Sequence, residues 1–140
     1  MNKINFGRVI LGGLLAGLVL NIGEFVLNEV LFKKQIEEMT RRLNVPVPGG
    51  SFIATAVLIT FLLGIVIVLT YAMIRSRFGP GPKTAILAAL VAWFCIYVYS
   101  GILNSAIFGL TPSLVAIGIL WGLGEYILAA LAGAWLYKES

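Results

Sequence analysis

The chain has 140 residues, of which 60% are hydrophobic and only 11% charged, with a net charge of +4 and a mean hydropathy of +1.01. Ordinary soluble domains carry about a quarter charged residues, and a soluble core of this size has no room for so much apolar side chain. The surplus calls for lipid, and the scattered basic residues exclude a nucleic-acid footprint.

Four segments approach the roughly 20 apolar residues needed to cross the hydrocarbon core, at about 9–31, 52–74, 84–108 and 113–137. The expected fold is therefore all-α: a polytopic bundle of four transmembrane helices in a single domain, 1–140. The first run follows Lys3 and Arg8 like a signal peptide, but it is long and lacks a small-residue exit, so it is expected to remain as span one. Between spans one and two, Phe32, Ile36, Met39 and Leu43 recur on one helical face, and Lys33/Glu37, Lys34/Glu38, Glu37/Arg41 and Glu38/Arg42 stand four apart. This predicts an amphipathic helix over 32–43 that lies on the membrane surface or continues span one before bending; a solvated helical loop is the alternative. Pro46, Pro48, Gly49 and Gly50 interrupt the chain, with Ser51 placed to cap span two. Gly79-Pro80-Gly81-Pro82 turns it into span three, and Thr111-Pro112 supplies an N-cap and a first-turn proline for span four.

Lys3, Arg8, Arg75, Arg77, Lys83 and Lys138 lie on the side of both termini, against Lys33, Lys34, Arg41 and Arg42 on the other. The excess predicts both termini in the cytoplasm.

The spans carry a polar seam. At 100° per residue, Gly13, Gly17, Asn21, Glu24 and Asn28 fall within about 80° on span one. Gly118, Gly122, Glu125, Ala129 and Gly133 share a face of span four, with Gly118 and Gly122 at the four-residue spacing that lets helices approach closely. Span three adds Tyr97, Ser100, Gly101 and Asn104; span two adds Thr60, Gly64 and Tyr71. Lipid offers no hydrogen bonds, so these faces are expected to turn inward. In antiparallel spans Glu24 and Glu125 reach a similar depth, where an acid costs about 2.5–3.5 kcal/mol on translocon scales. No basic residue lies mid-span to pair with them, so both are expected to be protonated much of the time and, where they approach closely, to share one proton or cation. Asn21, Asn28, Asn104 and Tyr97 are the natural hydrogen-bond partners. The two acids act either as interhelical glue or as carriers of protons, a cation or a substrate; alternatively, a helix of another protein completes the seam.

Gly23-Glu24 and Gly124-Glu125 sit in similar phrases, but a two-helix duplication would match spans one and three, so the likeness reads as convergence or chance. Trp93, Trp121, Trp135, Tyr99 and Tyr137 read as packing or interface aromatics and Cys95 as a small apolar residue. With no His, no Asp and one Cys, no catalytic set, resident cofactor or metal site is expected.

The first span ending in Val30-Leu31-Phe32-Lys33-Lys34, the span pair around a Gly/Pro turn and the closing Ala132-Gly133-Ala134-Trp135-Leu136-Tyr137 give the chain its layout. That layout resembles a group of small bacterial four-span membrane proteins known only as a domain of unknown function. The resemblance covers most of the chain and implies an all-α fold in the inner membrane; it assigns no residue roles. The expected activity is that of a homo-oligomer or an accessory subunit of a larger membrane complex, with a proton- or cation-coupled transporter or channel built on Glu24 and Glu125 as the alternative. The expected partners are the lipid bilayer and other membrane subunits.

Overall fold

The computed structural model describes residues 3–139. Five helices form in chain order: α1 Phe6–Leu31, α2 Lys33–Arg42, α3 Gly50–Phe78, α4 Pro82–Phe108 and α5 Pro112–Leu136. All but α2 are long and apolar enough to cross a membrane, and the chain is an all-α polytopic membrane bundle.

The helix ends have local causes. Asn5 caps α1, its Oδ1 accepting the Arg8 N–H at 3.1 Å. Thr111 caps α5 in the same way through the Leu114 N–H, and Pro112 opens the helix as its sequence position predicts. The α3 cap differs from expectation: Gly49 takes that position and Ser51 lies inside the helix, its carbonyl accepting from Thr55. Gly79 and Gly81 have φ of 84° and 125°, so the turn into α4 uses backbone that only glycine adopts freely. The Tyr71 hydroxyl accepts the Gly81 N–H at 3.2 Å and fixes that turn to the bundle.

The four long helices close a ring in the order α1, α3, α4, α5, with the broadest contact between α1 and α3. Glycine sets that approach. A Cβ on Gly13 would overlap the backbone of Ile65, one on Gly17 would lie 2.8 Å from Phe61 Cα, and one on Gly64 would lie 2.7 Å from Gly17 Cα. On the neighbouring face of α1, Gly12 meets Gly133 of α5 backbone to backbone. Dispersion between closely seated backbones substitutes for the hydrophobic effect, which lipid does not provide. Gly13, Gly17, Gly122 and Gly133 all stand at tight contacts, whereas Gly118 has only the Phe32 ring nearby, at 3.8 Å. Gly118 therefore makes no helix crossing; it borders a cavity.

Packing is uneven along the bundle. The core gathers Val9, Ala16 and Leu20 of α1, Ile67, Val68 and Tyr71 of α3, alanines of α4, and Tyr126, Ala129 and Ala130 of α5. Most of it lies in the half nearer the termini. Beyond Trp93, α4 buries none of its residues through Phe108, and the bundle opens.

Over that opening folds α2. Its stripe of Phe32, Ile36 and Met39 turns towards the bundle and lines the cavity, while Leu43 stays exposed. The amphipathic helix is thus a cap on one end of the bundle rather than a segment lying apart from it. Arg42 holds the cap down by donating from Nη2 to the Phe108 carbonyl, at the negative end of the α4 dipole. The charges spaced four apart along α2 form no ion pair among the described residues. At the opposite end, Arg75 pairs with Glu139 at 3.4 Å and stacks on the Tyr71 and Tyr137 rings, at 5.8 and 5.3 Å to their centroids.

Gly64→Val drives a side chain into the α1 backbone and should lower unfolding stability by roughly 2 kcal/mol, the scale of an overpacked core. Gly124→Ala, whose Cβ meets nothing within 4 Å, should leave it unchanged. Denaturant unfolding in mild detergent compares the two.

Candidate functional site

Two helices depart from α geometry, and both do so at the polar seam. In α1 the Asn28 Nδ2 donates to the Glu24 carbonyl at 2.8 Å, competing for the acceptor of a regular i−4 bond. The helix widens there into a π turn over Leu27–Leu31, closed by the Phe32 N–H on the Leu27 carbonyl at 2.8 Å. In α4 the π segment is Phe94–Tyr99, and Ser100 Oγ donates back to the Cys95 carbonyl at 3.1 Å. Tyr97 sits within it. Such turns recur at functional sites because they aim a side chain away from the regular helical stripe.

Tyr97 aims across the bundle. Its hydroxyl donates to Glu24 Oε1 on α1 and lies 3.3 Å from Glu125 Oε2 on α5. The two carboxyls anticipated from the sequence are therefore brought together by one phenol. Asn28 completes the Glu24 shell, donating from Nδ2 to Oε2 at 3.2 Å. Glu125 is buried, and its Oε1 has no hydrogen-bond partner among the described residues.

Donor counting constrains the cluster. A phenol carries one proton. When that proton goes to Glu24, the contact with Glu125 is a hydrogen bond only if Glu125 holds a proton and donates it to the phenol oxygen. The shared-proton arrangement is thus Glu125–OH to Tyr97–OH to the Glu24 carboxylate. Reversing both bonds moves a proton from one acid to the other with no displacement of heavy atoms.

Small residues make space for this arrangement. A Cβ on Gly122 would collide with the Tyr97 ring, and one on Gly23 would lie 2.6 Å from Glu125 Cγ. Tyr126 braces the Tyr97 ring edge-on, with centroids 5.3 Å apart and planes at 83°. The Trp121 indole donates to the Gly23 carbonyl at 3.2 Å, tying α5 to α1 beside Glu125, and Trp93 ties α4 to α5 through the Ile119 carbonyl at 2.8 Å. Gly23, Trp121 and Tyr126 were not singled out as site residues. Their signal was present, since Gly23 precedes Glu24 and Trp121 lies one helical turn before Glu125.

The other candidates lie elsewhere. Asn21 donates to Gly17 and Val57 carbonyls at 2.9 and 3.4 Å, facing α3 and not the acids. Asn104 is exposed on the cavity wall and bonds neither carboxyl. The matching phrases around Glu24 and Glu125 do not make matching environments either: Gly23 packs on Glu125, while Gly124 has open space beside it. Among the described residues no three His, Cys, Asp or Glu side chains gather as a metal site.

Two spaces flank the cluster. A cavity of about 310 Å³ lies under α2, with Tyr97 and Asn28 at its inner end and Phe32, Met39, Asn104 and Gly118 among its walls. A groove of about 360 Å³ runs between α1 and α5, lined by Ile22, Gly23, Trp121, Gly124, Glu125 and Leu128 among others.

Infrared spectra in membranes at neutral pH should contain a protonated-carboxyl stretch that Glu125→Gln alters and that Tyr97→Phe shifts to higher frequency, as the hydrogen bond to the phenol is lost. A wild-type spectrum without that band contradicts the donor count. No protein family, curated protein or solved structure matches the chain, so the geometry itself carries the functional argument.

Proposed function

We propose that this membrane protein is a proton-linked transporter of small molecules, non-enzymatic, with Glu24, Tyr97 and Glu125 as its exchange site. One observation carries the reading: a single hydroxyl lies within hydrogen-bond reach of two intramembrane carboxyls. Acids used only as glue would be fully partnered, because a buried acceptor left without a donor costs about 1–3 kcal/mol. Glu125 Oε1 is such an acceptor. Ionisable residues inside a bilayer line ion and proton pathways more often than they serve as packing alone. The spaces on either side of the cluster support the same reading, since a carrier needs access from two directions.

The absence of His and Asp in the sequence argues for transport over catalysis, because general acid–base chemistry would fall to Glu, Tyr or Lys alone. The reading puts the protein in a bacterial cytoplasmic membrane with both termini inside, on the Lys/Arg excess at that end.

The test uses vesicles loaded with a pH-sensitive dye and held acid inside, to which small organic solutes of each charge class are added in turn. At least one class should drive proton release, and Tyr97→Phe should reduce the rate at least tenfold while leaving helicity unchanged. Proton movement with no class, or an unimpaired Tyr97→Phe, contradicts the proposal.

A second reading is favoured by the outer half of α4. Phe94–Tyr99 and Ser100–Phe108 bury no residue, a surface suited to a neighbouring copy of the chain or to a larger complex in which it is an accessory subunit. Cys95 is exposed on this stretch. A homo-oligomer formed there should yield a Cys95-dependent disulfide dimer on oxidation of native membranes, and persistent monomer removes this reading.

A further inference from the structure

We infer that the groove between α1 and α5 binds a lipophilic organic cation, an amine or quaternary ammonium with an apolar body, which enters from the bilayer and is anchored by Glu125. This deepens the transport reading and rests on it.

The groove has one ionisable group and otherwise apolar or aromatic walls. Glu125 is only 6% exposed, and its Oε1 has no partner among the described residues. The carboxyl is therefore buried with an acceptor still to be satisfied, beside a space of about 360 Å³, within the size range of small-molecule sites. The rim residues Ile22, Leu120 and Leu128 are each more than half exposed on the outer apolar surface, so the mouth of the groove faces the acyl chains. The Trp121 indole stands in the wall, where its ring face can attract a cation.

Charge selects among ligands. No Lys or Arg lies on the groove, so an anion would find no counter-charge there, and a neutral molecule would give Glu125 no reason to release its proton. A monocation pairs with the carboxylate that Glu125 becomes when its proton moves to Tyr97. The size and apolarity of the walls favour an organic cation over a hydrated metal ion, which would need several oxygen ligands that the groove lacks.

The bridge then couples the two processes. As the cation approaches, the Glu125 O–H bond breaks and its proton forms a new O–H bond on the Tyr97 oxygen. The original Tyr97 proton passes to Glu24 Oε1. The result is a Glu125 carboxylate paired with the cation and a protonated Glu24. From Glu24 the proton leaves by way of the cavity under α2, whose inner end is formed by the two residues that bond Glu24, Tyr97 and Asn28. The lipid-facing groove and the cavity thus serve opposite partners of one exchange.

Binding in phosphatidylcholine nanodiscs, with empty nanodiscs as the blank, tests this through Trp fluorescence and ligand-observed NMR. The probes are benzyltrimethylammonium, its uncharged isostere neopentylbenzene, and the anion benzenesulfonate. The cation should bind saturably and at least tenfold more tightly than either of the others. Glu125→Gln should remove that preference, and Gly124→Leu, which fills the groove at a glycine with open space beside it, should abolish binding; circular dichroism verifies that both variants are folded. Equal affinity for the cation and its isostere, or cation binding that survives both variants, overturns the inference. If anions or neutral solutes drive proton release from vesicles while the cation fails to bind, the cation site falls and proton-linked transport stands. If no solute moves protons, both fall.

Discussion

Hydrocarbon cannot solvate a carboxyl group, and this bundle carries two of them across its interior with no basic side chain to pair with either. The polar cluster around Glu24 and Glu125 follows from that constraint. The single phenol of Tyr97 stands within hydrogen-bond reach of an oxygen of each acid. Asn28 adds a second donor to Glu24, at the cost of regular helix geometry in α1. Gly23 and Gly122 leave room for the acid and the ring to sit between helices instead of pointing to lipid. The indole of Trp121 holds the two acid-bearing helices together at that level.

The two ends of the bundle divide the work. Near the termini, glycine and alanine faces bring α1, α3 and α5 into backbone contact, and an Arg–Tyr–Tyr cluster with Glu139 secures the ends. That half is dense and specifies the arrangement of helices. Towards α2 the helices part, because α4 passes through a π segment and then packs little of its length on its neighbours. Density in one half allows looseness in the other: the first holds the acids at fixed positions, and the second supplies the spaces that reach them. The α2 cap, held by Arg42 on the end of α4, closes the loose half without filling it.

The spans, their order and the meeting of Glu24 with Glu125 were legible in the sequence because membrane solvation is a strong and simple rule. Runs of apolar residues must be helices, and acids within them must face inward. Tyr97 was legible for the same reason. The glycine faces were legible only in part: Gly13 and Gly17 follow a regular stripe, but Gly12 and Gly23 lie off it, since α1 presents different faces to α3 and α5. Gly118 carried the right spacing without a partner helix, because α4 has diverged by that level. Asn21 and Asn104 failed as carboxyl partners on similar grounds. A helical wheel assumes constant geometry, and the π turns at Leu27–Leu31 and Phe94–Tyr99 break that assumption where the site is built. The place of α2 over the cavity was equally hidden, because an amphipathic stripe fixes which face is covered and not what covers it.

The central claim is that one tyrosine hydroxyl bridges two carboxyls in the membrane interior. Solid-state NMR of the protein in bilayers, carrying ¹³C at Tyr97 Cζ and at the glutamate Cδ positions, measures this directly through dipolar couplings assigned by Glu24→Gln and Glu125→Gln. The account predicts two strong Tyr97 couplings, one lost in each variant. Coupling to a single glutamate, or to neither, contradicts it.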